Sequence, residues 1–133
     1  MTIPVNIITG VLGVGKTTAI RHLMSQRPSH ERWGIVVNEF GTLGIDGAML
    51  DTAAGLSKTN ASDADAEAGG VVVREVAGGC LCCAVAAPFT VAVTQLLRRA
   101  KPDRLIIEPS GLGHPGGLHD ALQGEHLRKV LRI

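Results

Sequence analysis

At 133 residues the chain has room for one domain with a single core, and 45% hydrophobic residues with only 2% aromatics make that core aliphatic. A net charge of +1, with no basic cluster interleaved with aromatics, argues against a nucleic-acid surface or an anionic membrane face. No run of about 18 apolar residues is available to span a membrane. Met1-Thr2-Ile3-Pro4-Val5 lacks the charged start and long apolar core of a signal peptide, so the expected compartment is the cytoplasm.

The first predicted strand is Val5-Asn6-Ile7-Ile8-Thr9, mostly apolar, as suits a parallel strand buried on both faces. Gly10-Val11-Leu12-Gly13-Val14-Gly15-Lys16-Thr17 follows and fits Gly-x4-Gly-Lys-Ser/Thr, the phosphate-binding loop. Glycines are needed there because the backbone must turn sharply to aim several N–H groups at phosphate oxygens. The expected cradle is Gly10, Gly13, Val14, Gly15, Lys16, Thr17 and Thr18. Lys16 supplies a mobile charge for the outer phosphates, and the Thr17 hydroxyl is a ligand for Mg²⁺. The N–H groups and positive dipole end of the next helix add to the anion site. That helix is predicted from Thr17 to Ser25, with Ala19, Ile20, Leu23 and Met24 on one side and Arg21, His22 and Gln26 facing out. Pro28 ends it.

Gly34-Ile35-Val36-Val37-Asn38 is the second predicted strand. Glu39 and a glycine-rich loop containing Asp46 come directly after it, at the strand end where open α/β sheets hold their ligands. A segment there can sense the γ-phosphate and Mg²⁺, as switch loops do. Residues 51–70 are rich in Ala, Ser, Asp and Gly without periodicity and are expected to form a flexible insertion. Val71-Val72-Val73-Arg74-Glu75-Val76 is the third strand, followed by a glycine turn and Cys80-Leu81-Cys82-Cys83. A helix to about Arg99 comes next, with Pro88 in its first turn and a stripe of Phe89, Val93, Leu96, Leu97 and Ala100. Arg104-Leu105-Ile106-Ile107-Glu108 is the fourth strand, and two short helices are expected from Leu118 onward. Strand–helix alternation with a phosphate loop after strand one predicts a three-layer, parallel-sheet α/β domain.

Two clusters carry chemistry beyond the loop. Glu108, at the end of an apolar strand, stands where a P-loop enzyme keeps an acidic residue that orients Mg²⁺. Gly111, three residues on, leaves room for a backbone N–H to approach the γ-phosphate. The three cysteines of the chain all fall within residues 80–83, which is not the layout of a disulfide framework. Adjacent Cys82 and Cys83 are poorly placed to bridge, since a disulfide needs Cα atoms about 5.5 Å apart. Thiolates suit Zn²⁺ or Cu(I), and a tetrahedral Zn²⁺ needs four donors. Two or three sulfurs from Cys80, Cys82 and Cys83 therefore leave one or two positions for a His, a carboxylate or water, and His114, Glu39 or a second subunit in a homodimer could supply them. Buried structural thiols and redox sensing are the other readings of the same residues. His22 and His119 are expected on the surface, and His30 and His126 carry no argument.

Together, Gly10–Thr18, Val37-Asn38-Glu39-Phe40-Gly41, Gly79-Cys80-Leu81-Cys82-Cys83 and Glu108-Pro109-Ser110-Gly111-Leu112 resemble the CobW-type P-loop GTPases, relatives of the nickel-handling HypB and UreG proteins. The motifs stand in family order along nearly the whole chain. The resemblance implies a GTP-driven metallochaperone or metal insertase that handles Zn²⁺ or Co²⁺, hydrolyses GTP in its full-length form and serves a client metalloenzyme. It also implies that the Cys-x-Cys-Cys thiols bind metal between the switch segments. Family members often carry Glu-Asn-Glu-Phe-Gly-Glu; Val37 and Thr42 replace the outer carboxylates here, while Glu39 remains. The guanine-reading Asn/Thr-Lys-x-Asp is expected well after the acidic strand. Lys101-Pro102-Asp103 precedes that strand and Ser57-Lys58-Thr59-Asn60 lacks the Asp, so both are read as coincidental. The resemblance thus implies the N-terminal portion of a longer GTPase, C-terminally incomplete and without the family's C-terminal domain. The rival readings are a P-loop kinase or ATPase with structural thiols, and an inactive truncated fragment.

Overall fold

Strands that are apolar at every position need cover on both faces, and two separate sets of buried side chains provide it. The computed structural model describes residues 2–10, 15–39, 66–68, 70–77, 86–109 and 115–133. Along these run β1 (Ile3–Ile7), α1 (Lys16–Ser25), β2 (Trp33–Glu39), β3 (Ala66–Ala68), β4 (Val71–Ala77), α2 (Ala86–Ala100), β5 (Arg104–Glu108), α3 (Pro115–Leu122) and β6 (Leu131–Arg132). The strands form one sheet in the order β3-β4-β2-β5-β1-β6. β4, β2, β5, β1 and β6 pair in parallel, and β3 is antiparallel to β4 at one edge.

The alternation of side chains along each strand sorts the core into two layers. On one face, Val36, Val72, Val76, Leu105 and Ile107 pack against Phe89, Ala92, Val93 and Leu96 of α2 and Leu118 and Leu122 of α3. On the other, Trp33, Ile35, Val71 and Ile106 pack against Ile20 of α1, with Leu23 and Met24 partly buried beside them. The expected three-layer α/β architecture is the observed one.

Both helical stripes follow the predicted spacing, with one exception. Ala19 is exposed, while Ile20 is fully buried. Successive helical residues lie about 100° apart, so the residue before Ile20 falls on the flank of the buried face. α1 ends with the Gln26 and Arg27 N–H groups donating to the carbonyls of Leu23 and Met24, both at 3.1 Å. Pro28 disfavours helical geometry at Arg27, which accounts for a stop before the proline itself.

Two expectations fail. The sequence pattern predicts a flexible insertion over residues 51–70, yet Ala66–Ala68 within it pairs with β4 in the register Ala66↔Val73 to Ala68↔Val71. An Ala-Glu-Ala segment has no β-branched residues to announce it; the open edge of β4 supplies the partner. Its connection to β4 includes Gly70, whose φ of 83° suits glycine and whose carbonyl accepts the Trp33 N–H at 2.8 Å. The rest of the insertion lies outside the described residues.

The second failure is at the end of the chain. One helix, α3, runs there, and the second expected helix is replaced by turns and by β6. Gly124 O accepts from the N–H groups of Leu127 and Arg128, and Leu127 O accepts from Val130 and Leu131. The apolar spacing of Leu127 and Leu131 resembles a helix, but the free edge of β1 captures the segment instead. Ile3 N–H donates to Val130 O at 2.8 Å, and Ile3 pairs with Leu131.

At Gly34 the missing side chain leaves room for Leu96 of α2 against the sheet. A Cβ there would lie 2.6 Å from Leu96 Cδ2 and 3.2 Å from Leu105 Cδ1, both side chains fully buried. Gly34→Ala should therefore destabilise the fold by about 1–3 kcal/mol, as overpacking does in other cores. Urea unfolding followed by circular dichroism measures it; an unchanged midpoint would show that α2 can retreat.

Candidate functional site

Parallel pairing brings the C-terminal ends of four strands to one edge of the sheet. Ile7 of β1 pairs with Ile107 of β5, Glu108 of β5 with Val37 of β2, and Glu39 of β2 with Ala77 of β4. β5 lies between β1 and β2, so Glu108 ends a central strand. Ile8 N–H donates to Ile107 O at 2.9 Å, which ties the start of the glycine loop to the residue before Glu108.

Gly10 leaves β1 with a φ of 152°, and Gly15 enters α1 with φ 97° and ψ 24°. A Cβ at Gly15 would meet nothing within 4 Å, so the left-handed backbone, not crowding, is what favours glycine there. Gly15 is the N-cap of α1, makes no side-chain capping bond, and accepts Ala19 N–H at 2.9 Å. An N-cap without a side-chain acceptor leaves first-turn N–H groups available to an external anion.

Lys16 is the first residue of α1, and its ammonium Nζ lies 3.9 Å from Glu108 Oε1. The two side chains are only 10% and 13% exposed, so this is a sheltered ion pair and not a surface one. Burial pushes the Glu108 carboxyl above its ordinary range, and the nearby Lys16 charge pulls it back in part. The net shift is upward, so holding Glu108 ionised costs the fold some stability.

Of the expected phosphate ligands, Gly10 follows β1, Gly15 caps α1, Lys16, Thr17 and Thr18 form the first turn of α1 and Lys16 pairs with Glu108, while Glu39 ends β2 two residues beyond Val37. Gly13, Val14, Cys80, Cys82, Cys83, Gly111 and His114 lie outside the described residues, as does Asp46. Among the described residues no group of three or more His, Cys, Asp or Glu could hold a metal ion. The connection from β4 to α2, which carries the Cys-x-Cys-Cys segment, leaves the sheet at Ala77, the register partner of Glu39. His22 and His119 are exposed, as expected. No helix among the described residues is long and apolar enough to cross a membrane.

Lys101-Pro102-Asp103 precedes β5, at the opposite end of the strand from Glu108. There Asp103 Oδ2 accepts the Arg32 N–H at 2.7 Å, and its own N–H donates to Arg32 O at 2.6 Å. This fastens the start of β2 to the start of β5. A neighbouring brace holds Arg104 over the Trp33 ring at 5.5 Å, with Nη1 donating to Asn6 Oδ1 at 2.7 Å. These groups build the sheet's other end.

The family model for the CobW/HypB/UreG nucleotide-binding domain matches residues 4–133. The chain belongs to this family. The CobW-family relatives it resembles include a protein of Escherichia coli K12 named zinc chaperone YeiR, 47% identical over 117 residues, which are 88% of this chain and 31% of that protein. Zinc chaperone CobW of a Sinorhizobium species is 39% identical over 132 residues, 98% of this chain and 34% of its own length. Zinc-regulated GTPase metalloprotein activator 1 of Dictyostelium discoideum is 32% identical over 114 residues, 85% of this chain and 23% of its own length. The chain spans about a third of the length of the first two relatives. No solved structure matches it significantly.

The upward shift of Glu108 has a measurable sign. A carboxyl whose folded pKa exceeds its unfolded one favours folding most at low pH, and that advantage is lost as pH rises through the folded value. Glu108→Gln, which mimics the neutral form, should therefore melt at a higher temperature than the parent at pH 7. The gap should close as pH falls into the acidic range where the parent carboxyl protonates. A variant that melts lower at pH 7 would show that the Lys16 pairing outweighs the burial cost.

Proposed function

We propose that this chain supplies the phosphate-binding and metal-switching part of a GTP-dependent zinc chaperone. The observation that carries the reading is the sheltered Lys16–Glu108 pair, set at the C-terminal edge of a parallel sheet beside a helix start that a glycine leaves uncapped. Family membership supports a nucleotide, and the names of the relatives support GTP and zinc over adenine nucleotides and cobalt. The working compartment is the cytoplasm, and the recipient of the metal is a client metalloenzyme.

In this reading the first turn of α1 and Lys16 hold the β- and γ-phosphates. The donors at hand suit Mg²⁺: a hydroxyl-bearing Thr17 next to Lys16 and a carboxylate at Glu108 are hard oxygen ligands. When bound, Mg²⁺ would offset phosphate charge during hydrolysis. Gly111 approaches the γ-phosphate through its backbone. Zinc is the cargo and not a resident cofactor. Cys80, Cys82 and Cys83 supply soft donors for it, with His114, Glu39 or a second copy of the chain completing four. Co²⁺ is the alternative cargo.

Because Glu39 ends β2 and the thiol segment follows β4, both strands ending at the phosphate edge, nucleotide and zinc act on neighbouring parts of that edge. Coupling between the two sites is then reciprocal: whatever GTP does to zinc affinity, zinc does to GTP affinity. With Mg²⁺ and a non-hydrolysable GTP analogue, zinc affinity measured by competition with a chromogenic chelator should change by about 5-fold or more, the lower end of ordinary allosteric coupling. Equal affinity with and without the analogue would sink the switch. Cys82→Ser should lower the zinc bound per chain, read by metal analysis after dialysis; unchanged zinc content would return the thiols to a structural role.

A further inference from the structure

Three stretches of the chain turn from a helix into a strand at the end of the sheet opposite Glu108. Residues 22–32 lead from α1 into β2, residues 97–104 from α2 into β5, and residues 119–132 from α3 into β6. They hold nine of the 13 Lys and Arg but four of the 12 Asp and Glu, so they carry a formal charge of +5. The remaining four cations and eight acids leave −4 for the rest of the chain, against +1 overall. We infer that this end of the sheet is a docking surface for an acidic protein segment, separate from the phosphate edge.

The topology gathers these charges. β2, β5, β1 and β6 are neighbours in that order and run parallel, so their first residues stand at one end. At about 4.8 Å per strand, β2 to β6 spans about 14 Å, the reach of about four residues of extended chain. Part of the charge holds the fold: the Arg32 N–H bonds Asp103, and Arg104 lies over Trp33. Arg98, Lys101, Arg128, Lys129 and Arg132 take no part in that brace. They are exposed, and their side chains make no hydrogen bond or ion pair among the described residues.

Lys101 adds a second observation. It closes α2 with a φ of 45°, and its N–H donates to Leu97 O at 3.2 Å. No other non-glycine residue among those described has a positive φ. Glycine fits that left-handed backbone better, so holding a lysine there is a local cost for which an exposed charge gives a reason.

The surroundings select protein over other polyanions. Single-stranded nucleic acid is held by exposed aromatic rings, whereas Trp33 and Phe89 are buried. A duplex backbone calls for an unbroken basic track, and the exposed Asp103, Asp120 and Glu125 interrupt this one. A membrane face needs a broad apolar patch, and Val130, 41% exposed, is the one large apolar side chain exposed in the three stretches. Val130 among these cations suits an acidic segment that carries an apolar side chain between its carboxylates.

The test follows a fluorescein-labelled octapeptide, Glu-Glu-Leu-Glu-Glu-Leu-Glu-Glu, by fluorescence anisotropy with the purified chain. The parent should bind it at low salt and release it at about 1 M NaCl, where the screening length is about 3 Å. Lys101→Glu combined with Arg128→Glu should weaken binding about tenfold, the scale of a few close charge pairs. Arg21→Glu, the same charge change on α1 outside the three stretches, should weaken it less than twofold. Lys101→Gly suits the left-handed backbone, so it should melt no lower than the parent and still bind about twofold more weakly, which separates lost charge from lost folding. A parent chain that leaves the peptide unbound, parent-like binding by the double variant, or an equal loss in Arg21→Glu would overturn the inference. A thymidylate octamer or phosphatidylserine vesicles binding more tightly than the peptide would overturn it too, assigning this end to nucleic acid or to a membrane.

Discussion

The position of β5 between β1 and β2 is the constraint on which the rest depends. A central parallel strand is hydrogen-bonded on both edges and covered on both faces, so its last residue has almost no freedom. Leu105 and Ile107 are locked under α2 and α3, and Ile106 under α1. Glu108 is therefore delivered to the strand-end edge by three consecutive buried residues. The glycine loop arrives at the same edge from β1, one strand away, and Lys16 meets Glu108 there.

That arrangement sets stability against function. A carboxylate pushed up by burial and a lysine with little exposure are expensive places to keep charge. An apolar pair would fold better and bind nothing anionic. The opposite end of the sheet shows the contrasting solution. Arg32 and Asp103 form reciprocal backbone and side-chain bonds, and Arg104 lies over Trp33 with one nitrogen on Asn6. Charges at that end are spent on joining β2, β5 and β1, which frees the other end to carry groups that are not optimally paired.

Much of this was legible in one dimension because it depends on local periodicity. The stripes of α1 and α2 and the doubly apolar β2, β4 and β5 each repeat at the spacing of the element they form. What escaped was whatever an exposed strand edge decided. Ala66–Ala68 has poor strand composition but lies beside the free edge of β4. Leu127 and Leu131 have helical spacing but lie beside the free edge of β1, which recruits the segment as β6. In both cases unpaired backbone donors and acceptors outweighed the side-chain pattern. Ala19 was misassigned for a smaller reason: alanine fits either side of a helix, so its spacing carries little information.

The sequence by itself determined that a phosphate-binding loop precedes a helix, that an acidic residue closes an apolar strand, and that three thiols stand together. Those are statements about residue type and short spacing, which covalent geometry preserves in any fold. Tertiary structure alone decided that Lys16 and Glu108 touch, that the Lys-x-Asp at 101–103 belongs to the far end of the sheet, and that the chain's last strand joins β1. Each depends on strand order, and strand order is fixed by which apolar faces and backbone edges find partners across long separations. Local pattern does not encode that.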